Sequence, residues 1–274
     1  MSLIEEAKLL LRRHRIFPKK RLGQHFMIEP SIFQLLANYA SLDKSDVVLD
    51  IGAGLGFLTR FLAGKCGKVL AVELDNRLVK VLREQFKGLL NVVIIEGDVL
   101  KISLSEFNKV VSVPPYGISS ALIQWLFSKK LECAVMVFQK EFAKRLVASI
   151  GSEDYGWLTV LTYYHFDVEL LDDVPKSFFY PQPEIDSIIV RLKPKPPPFR
   201  VKDEVFFTKL VQALFTQRNR KVRNAIQPFI RRERAVSAVS EATAKMADSL
   251  PFHDRRVREL APEDFGELAN VLIN

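Results

Sequence analysis

Short apolar runs alternate with amphipathic segments through the first 150 residues of the chain. Five of these runs predict buried strands, at Val47–Ile51, Val69–Val72, Val92–Ile95, Lys109–Ser112 and Cys133–Phe138. Apolar residues at helical spacing lie between them and predict helices over 58–63, 76–86, 119–128 and 140–149. Alternation of this kind is typical of an α/β protein with a doubly wound, mostly parallel sheet.

The flanking segments follow other patterns. Residues 1–16 predict a short helix or arm, and Pro30-Ser31 opens a further helix. Tyr155–Phe166 and Ser187–Leu192 predict two more strands, which we expect to form an antiparallel hairpin at the sheet edge. The prolines of 193–198 interrupt regular structure, because proline removes a donor and restricts the residue before it. Beyond them the pattern predicts helices over 203–216, 219–227, 230–247 and 262–272.

These changes of pattern predict a basic arm over 1–27, an α/β domain over 28–193 and a small helical domain over 194–274. The net charge of +8 lies in the two ends. Residues 1–27 hold seven basic and two acidic side chains, and residues 194–274 hold fifteen and ten. Any single charge is explained by solvation, but two basic ends around a near-neutral centre favour a polyanionic substrate.

Composition narrows the class of protein further. No apolar run reaches the length of a membrane span, and the N-terminus lacks the apolar core of a signal peptide. Cys66 and Cys133 stand far apart without metal-ligand spacing, so we expect two buried thiols and no metal site. We therefore expect a cytoplasmic protein that is not bound to membranes. No heptad pattern is sustained, which favours a monomer.

A glycine-rich turn follows the first predicted strand and carries the first chemical signal. Asp50 lies near the end of that strand, and Gly52, Gly54 and Gly56 follow at a spacing of two. Glycine allows a tight turn and a close approach of ligand to main chain, although many such turns hold glycines for packing alone. The second strand ends in Glu73, whose carboxylate can accept both hydroxyls of a ribose. Together these residues predict a nucleoside-binding pocket, and the G-x-G-x-G spacing favours S-adenosylmethionine over NAD.

Three further loops carry candidate chemistry. Asp98 follows the third strand, where it can accept the exocyclic amine of an adenine. The fourth strand leads into a rigid loop, Val113-Pro114-Pro115-Tyr116, where a substrate base can stack on Tyr116. A second proline-aromatic loop begins at Phe179, which we expect to cover the other face of that base. Phosphate contacts are predicted for basic residues at both ends, namely Lys19, Lys20, Arg21, Arg218, Arg220, Lys221 and Arg223.

Several of these motifs occur together, in the order and spacing of one family. They are Lys20–Phe26, Asp50–Gly56, Glu73–Asp75, Gly97–Val99, Pro115–Ser120, Gln139–Arg145, Phe179–Pro183 and Arg218–Lys221. The chain thereby resembles the rRNA adenine N6-dimethyltransferases over nearly its whole length, most closely their archaeal and eukaryotic-type members.

The resemblance implies a Rossmann-like methyltransferase domain followed by a small all-helical domain. It implies transfer of methyl groups from S-adenosylmethionine to the N6 amines of two adjacent adenosines. These adenosines lie in the loop of the last helix of small-subunit rRNA, so the partner is the small ribosomal subunit during its assembly. The implied cofactor-site residues are Gln24, His25, Phe26, Met27, Gly52, Gly54, Glu73, Leu74, Asp98, Val99 and Ser112. The implied catalytic-site residues are Val113, Pro114, Tyr116 and the base-stacking Phe179.

Val113 departs from the family pattern. The family has asparagine at this position, where its side chain accepts from the target amine, and valine cannot accept a hydrogen bond. Loss of one preorganised partner costs roughly 10²–10³ in rate in well-studied sites. The enzyme is then slower, stops at one methyl group, or uses Ser112 as the acceptor. The alternative is an rRNA-binding assembly factor with weak or no methylation. A methyltransferase for a small amine is disfavoured by the basic ends.

Overall fold

The computed structural model describes residues 1–19, 23–233 and 241–273. The chain divides into two compact units. The first contains Met1–Ala143 and Val168–Pro194, and the second contains Lys144–Asp167 and Lys195–Asn274.

Strands and helices alternate as the apolar pattern predicts. The strands are β1 (Phe26–Met27), β2 (Val47–Ile51), β3 (Lys68–Glu73), β4 (Val92–Glu96), β5 (Lys109–Ser112), β6 (Cys133–Gln139), β7 (Phe166–Val174), β8 (Phe179–Tyr180) and β9 (Ser187–Pro194). The helices are α1 (Leu3–Arg13), α2 (Pro30–Tyr39), α3 (Phe57–Ala63), α4 (Asn76–Gln85), α5 (Ser119–Leu126), α6 (Lys140–Leu146), α7 (Trp157–His165), α8 (Glu204–Phe215), α9 (Val222–Ala225), α10 (Gln227–Glu233), α11 (Glu241–Ser249) and α12 (Pro262–Leu272).

A seven-stranded sheet in the order β4-β3-β2-β5-β6-β9-β7 organises the described part of the first unit. The pairs from β4 through to β6 are parallel, and β9 runs antiparallel to β6. Chain order reverses between β2 and β5, so the carboxyl ends of these strands frame a crevice. The five strands predicted first and the mostly parallel Rossmann-like sheet are confirmed.

The helices of this unit follow from their amphipathic sequences. Asp75 caps α4 by accepting from the Arg77 N–H, and α4 then buries Leu78, Val79 and Leu82. The one exposed position between them is Lys80. A fully buried apolar stripe of this kind fixes the side of α4 that packs against the sheet.

A second, two-stranded sheet joins distant segments that the sequence did not pair. β1 runs antiparallel to β8, with Phe26 opposite Tyr180 and Met27 opposite Phe179. Each strand has only two residues, too few to show a period. This pairing brings the end of the N-terminal arm against the proline-aromatic loop.

The strand predicted at Tyr155–Phe166 is wrong: most of this segment forms helix α7, and β7 begins only at Phe166. Residues 158 to 162 are all buried, threonines included, so α7 lacks the polar face that marks a helix. Aromatic and β-branched residues then mimic a buried strand. The edge of the sheet is β9 followed by β7, which replaces the hairpin we expected.

The second unit is helical in its described residues beyond 195. Helix α8 packs against α12 and α7, and rings of Phe215 and Phe265 stack at 5.3 Å between centroids. The Tyr155 hydroxyl donates to the Leu260 carbonyl at 2.7 Å. Because α7 packs on these helices, residues 144–167 belong to this unit rather than to the predicted 28–193 domain. The second part of this unit begins at Lys195. Part of the predicted helix 230–247 lies outside the described residues.

Candidate active site

A cavity of about 230 Å³ opens at the carboxyl ends of the parallel strands β2 to β5 in the first unit. Its lining comes from the turns that follow these strands and from the segment before β1. The lining residues are Gly23, Gln24, His25, Phe26, Ile51, Gly52, Gly54, Val72, Glu73, Leu74, Leu78, Gly97, Asp98, Val99, Val113, Pro114, Pro115, Tyr116, Gly117 and Ile118.

The glycine-rich turn forms the floor of this cavity. Gly52 and Gly54 have φ of +74° and +59°, in a region of backbone conformation that residues with a side chain rarely adopt. A Cβ on Gly52 would lie 2.7 Å from the Pro115 Cδ, and one on Gly54 would lie 3.0 Å from the Phe26 ring. Glycine therefore lets this turn approach both the proline loop and β1.

Glu73 ties the turn to β3. Its carboxylate accepts from the Gly54 N–H at 2.9 Å and from the Asp75 N–H at 2.8 Å. The side chain is buried, which raises the pKa of the Glu73 carboxyl, while the two backbone donors favour the charged form. A carboxylate has about four acceptor sites, so two remain for a ligand.

Gln24 is held by an ion-pair cluster at the rim. Its carboxamide donates to Asp75 Oδ2 at 3.0 Å and accepts from the Lys19 N–H at 2.8 Å. The Arg77 guanidinium bound to Asp75 holds the pKa of that carboxyl well below its usual range. Asp75 was missed as a site residue, although its place after Glu73 and at a helix N-cap is visible in the sequence.

An apolar surface lies beside these polar groups. Leu74 is 56% exposed and lies on the cavity wall with Val99 and Leu78. Asp98 lines the same wall, where its carboxylate accepts from the Leu100 N–H at 3.1 Å. An exposed leucine beside a carboxylate suits a flat ring with an exocyclic amine.

Tyr116 is locked in position from three sides. Its hydroxyl shares a hydrogen bond of 2.7 Å with the buried Ser187 Oγ, and burial raises the pKa of Tyr116 to about 12. The His25 ring stacks over it at 6.1 Å between centroids, and Phe179 meets it edge-on at 6.2 Å. His25 Nδ1 is in turn 2.7 Å from the Pro181 carbonyl oxygen.

Most of the predicted cofactor and base residues meet at this cavity, but three do not. Phe179 is 3% exposed and packs edge-on against the Tyr116 ring. Met27 lies in a smaller hollow of about 40 Å³ beside the main cavity. Ser112 is fully buried, and its Oγ has no hydrogen-bond partner among the described residues. The lining also includes Gly23 and Ile118, which belong to the motifs Lys20–Phe26 and Pro115–Ser120 but were not among the predicted site residues.

The predicted phosphate-binding residues of the second unit are mostly engaged with protein acceptors. Arg218 donates to the carbonyls of Ser152 and Glu153, both at 2.6 Å. Lys221 and Arg223 both pair with Asp254, at 2.9 and 3.0 Å. Arg220 is exposed and lacks an ion-pair partner in the described ranges. Lys19 pairs with Asp75 at 3.9 Å, and Lys20 and Arg21 lie outside the described residues.

Asp50 is a buried acid in the strand below the turn. It is 1% exposed and lines the smaller hollow, and Thr59 Oγ1 donates to it at 2.6 Å. Burial raises the pKa of Asp50 to about 7, the Glu73 charge adds to the rise, and the Thr59 donor opposes it. Asp50 is therefore a structural titrating group rather than a ligand of the main cavity.

We expect Asp50 to make stability fall between about pH 4 and pH 7. Its pKa is raised on folding from about 3.9, so its stabilisation is complete below the unfolded value and is lost as pH rises through the folded value. Urea unfolding of wild type and Asp50→Asn at pH 4.5 and 8 measures this. The wild-type stability, relative to the variant, should be lower at pH 8. An equal difference at both pH values would contradict the assignment.

Neither a metal centre nor a membrane helix is found in the part of the chain that the structure describes. No three His, Cys, Asp or Glu side chains there are grouped to hold a metal ion. None of the described helices combines the length and apolar character that a membrane crossing requires.

Comparisons with known proteins identify the family of the chain. The family model of ribosomal RNA adenine dimethylase matches residues 17–258. A probable ribosomal RNA small subunit methyltransferase A from Methanosarcina acetivorans is 41% identical over 251 residues, 92% of each chain. The crystal structure of a dimethyladenosine transferase from Plasmodium falciparum is similar with a TM-score of 0.74 and 28% identity, over 89% of this chain and 96% of that one. The 23S rRNA methyltransferase ErmE is similar with a TM-score of 0.62 and 29% identity, over 91% of this chain and 100% of that one.

Proposed function

The chain belongs to the ribosomal RNA adenine dimethylase family, and we propose that it methylates the N6 amines of two adjacent adenosines in small-subunit rRNA. It is an S-adenosylmethionine-dependent methyltransferase with a Rossmann-like fold. The observation that carries the proposal is one cavity, lined by Glu73, Leu74 and Asp98 on one side and by the 113–116 loop on the other. One side suits a nucleoside cofactor, and the other suits a second flat base.

The residues present fit S-adenosylmethionine. Gly52 and Gly54 line the cavity without side chains, so a ligand can approach the main chain there. Glu73 is positioned to accept from ribose hydroxyls, and Leu74 offers its exposed side chain to the adenine ring. Asp98 is placed to accept from the adenine amine. When bound, the cofactor supplies a methyl group on a sulfonium, which is reactive toward a neutral amine.

The chain then has to position an amine rather than activate it. Tyr116, fixed by Ser187 and His25, presents a ring against which the target adenine stacks. Backbone carbonyls of the 113–114 segment are the acceptors proposed to orient the amine, because the side chain of Val113 offers none. The amine loses its proton to water after transfer. Rate acceleration comes mainly from proximity and orientation.

We propose the loop of the 3′-terminal helix of small-subunit rRNA as the target. The relative from Methanosarcina acetivorans, named for the small subunit, supports it, whereas ErmE is named for 23S rRNA. Incubation with labelled S-adenosylmethionine and separated, unmodified subunits tests the proposal. Label should enter the small-subunit rRNA, and label confined to the large subunit would refute the target. We further propose that the chain acts as a monomer. It would do so in the cytoplasm, during ribosome biogenesis.

Val113 favours a second candidate, an rRNA-binding assembly factor that methylates weakly or not at all. The two are separated by Val113→Asn, with Val113→Ala as the matched control for lost side-chain volume. If backbone carbonyls already hold the amine, the asparagine should change kcat by less than about tenfold. A rise of roughly 10²–10³, the value of one preorganised polar partner, would show that the native loop is impaired. Single-turnover methyl transfer measures this.

A further inference from the structure

Helix α1 ends in a turn that puts an arginine where glycine is usual. The Ile16 N–H donates to the Leu11 carbonyl at 2.8 Å, and both side chains are buried. This is the Schellman arrangement, in which the residue before the apolar one is left-handed. Arg15 occupies that position with φ of +51°. A left-handed non-glycine residue costs energy, and such strain concentrates at functional positions.

The surface beside this turn combines unpaired charge with an exposed ring. Arg12, Arg13 and Arg15 are exposed, and none of them has an ion-pair or hydrogen-bonding partner for its side chain in the described residues. Phe17 is 80% exposed. Arginines near a helix C-terminus suit its dipole, but the dipole requires neither Arg15, which lies beyond the helix, nor a ring in water. We call Arg12, Arg13, Arg15 and Phe17 the arm surface.

The arm surface is anchored beside the cavity. Phe17 lies two residues before Lys19, so their Cα atoms are at most about 7 Å apart. The Lys19 N–H binds Gln24 of the cavity wall at 2.8 Å. Earlier in α1, Lys8 Nζ lies 5.6 Å from the centre of the Tyr180 ring, next to Phe179. Glu6 pairs with Arg60 of α3, which fixes the helix.

We propose that the arm surface binds the RNA strand next to the target adenosines, with an unpaired base stacked on Phe17 and phosphates on the arginines. The inference rests on the proposed function and names residues outside the expected phosphate contacts. A polyanion explains three unpaired cations, and a base explains an exposed aromatic ring among them. Sequence-tolerant stacking beside a basic strip is a common way to hold single strands.

Binding of unmodified small ribosomal subunits by the full chain tests the proposal. Phe17→Ala should weaken binding at least about fivefold, since base–aromatic stacking contributes this much or more. Phe17→Tyr should retain affinity, and Phe17→Leu should not. Arg15→Gly suits the left-handed turn and should raise thermal stability, yet reduce the slope of log affinity against log salt by about 0.7–0.9. Leu90→Ala is the control. It removes another exposed apolar side chain, which precedes the amino end of β4, whereas the cavity lies at the carboxyl ends of the strands.

Three results would overturn the inference. If wild type binds and methylates subunits while Phe17→Ala and Arg15→Gly bind within twofold of it, the arm surface is not an RNA contact and the proposed function stands. If wild type binds S-adenosylmethionine by calorimetry but neither binds nor methylates subunits, the proposed function fails and the arm surface fails with it. Equal loss in Phe17→Tyr and Phe17→Ala would also exclude stacking.

Discussion

Replacing Tyr116 with alanine is expected to lower kcat about 100-fold or more, while the Kd for S-adenosylmethionine changes less than about threefold. The ring is held by Ser187 and His25 and follows β5, whereas Glu73 ends β3, on the other side of β2 in the sheet. Its loss removes the surface that keeps the adenine flat, and misplacement of a reacting group by about 1 Å can cost roughly 100-fold. Single-turnover transfer and calorimetric titration separate the two effects.

Tyr116→Phe is the matched control for this prediction. It keeps the ring and removes the hydroxyl that meets Ser187, so kcat should fall only about fivefold, the value of one ordinary hydrogen bond. Ser187→Ala should give a similar loss. Full activity of a folded Tyr116→Ala variant would remove Tyr116 from the catalytic site. Equal losses in the alanine and phenylalanine variants would assign the effect to the hydroxyl.

Replacing Glu73 with glutamine is expected to weaken S-adenosylmethionine binding about 100-fold. The carboxylate holds the N–H groups of Gly54 and Asp75 and is placed to accept from ribose hydroxyls. Hydrogen bonds to a charged group contribute about 1.5–3 kcal/mol each, and glutamine keeps only one acceptor oxygen. Calorimetry measures the Kd, and thermal unfolding checks that the turn survives.

Glu96→Gln is the control for Glu73→Gln. Glu96 is opposite Glu73 in the parallel register but is exposed and faces Arg83 at 3.3 Å. It does not line the cavity, so its variant should bind the cofactor like wild type. Unchanged affinity in Glu73→Gln, or equal losses in both variants, would contradict a ribose-binding role for Glu73.

The central sheet and its ligand edge were predictable because two independent rules converge there. Apolar runs bounded by turns place β2 and β5 within their observed bounds. Ligands bind beyond the carboxyl ends of such strands, which brings Gly52, Glu73 and Asp98 together without knowledge of side-chain contacts.

Features that depend on contacts distant in sequence were not predictable. The two-residue strands β1 and β8 carry no period, so nothing in the sequence indicated that Phe179 faces Met27 in their register and is buried. The family resemblance assigned Phe179 to base stacking, and its buried position behind Tyr116 favours an indirect role through that ring.

The same limit explains why helix α7 and the protein partners of the basic residues were not predicted. Residues 158 to 162 of α7 are all buried, so the composition of this helix resembles that of a strand. Charge counting marked Arg218 and Lys221 for phosphate, but it cannot reveal that protein carbonyls and Asp254 hold them. Conversely, only the structure shows that Arg15 has a strained, left-handed backbone and that the Phe17 ring is exposed to water.

We propose that one cavity joins the cofactor to an adenosine of small-subunit rRNA. Mass analysis of nucleosides from unmodified small subunits, incubated with the protein and S-adenosylmethionine, tests it most directly. We expect N6,N6-dimethyladenosine at two neighbouring positions, at a rate lowered about 100-fold by Tyr116→Ala. Subunits that bind the protein and its cofactor yet yield no methylated adenosine would contradict it and favour the assembly factor.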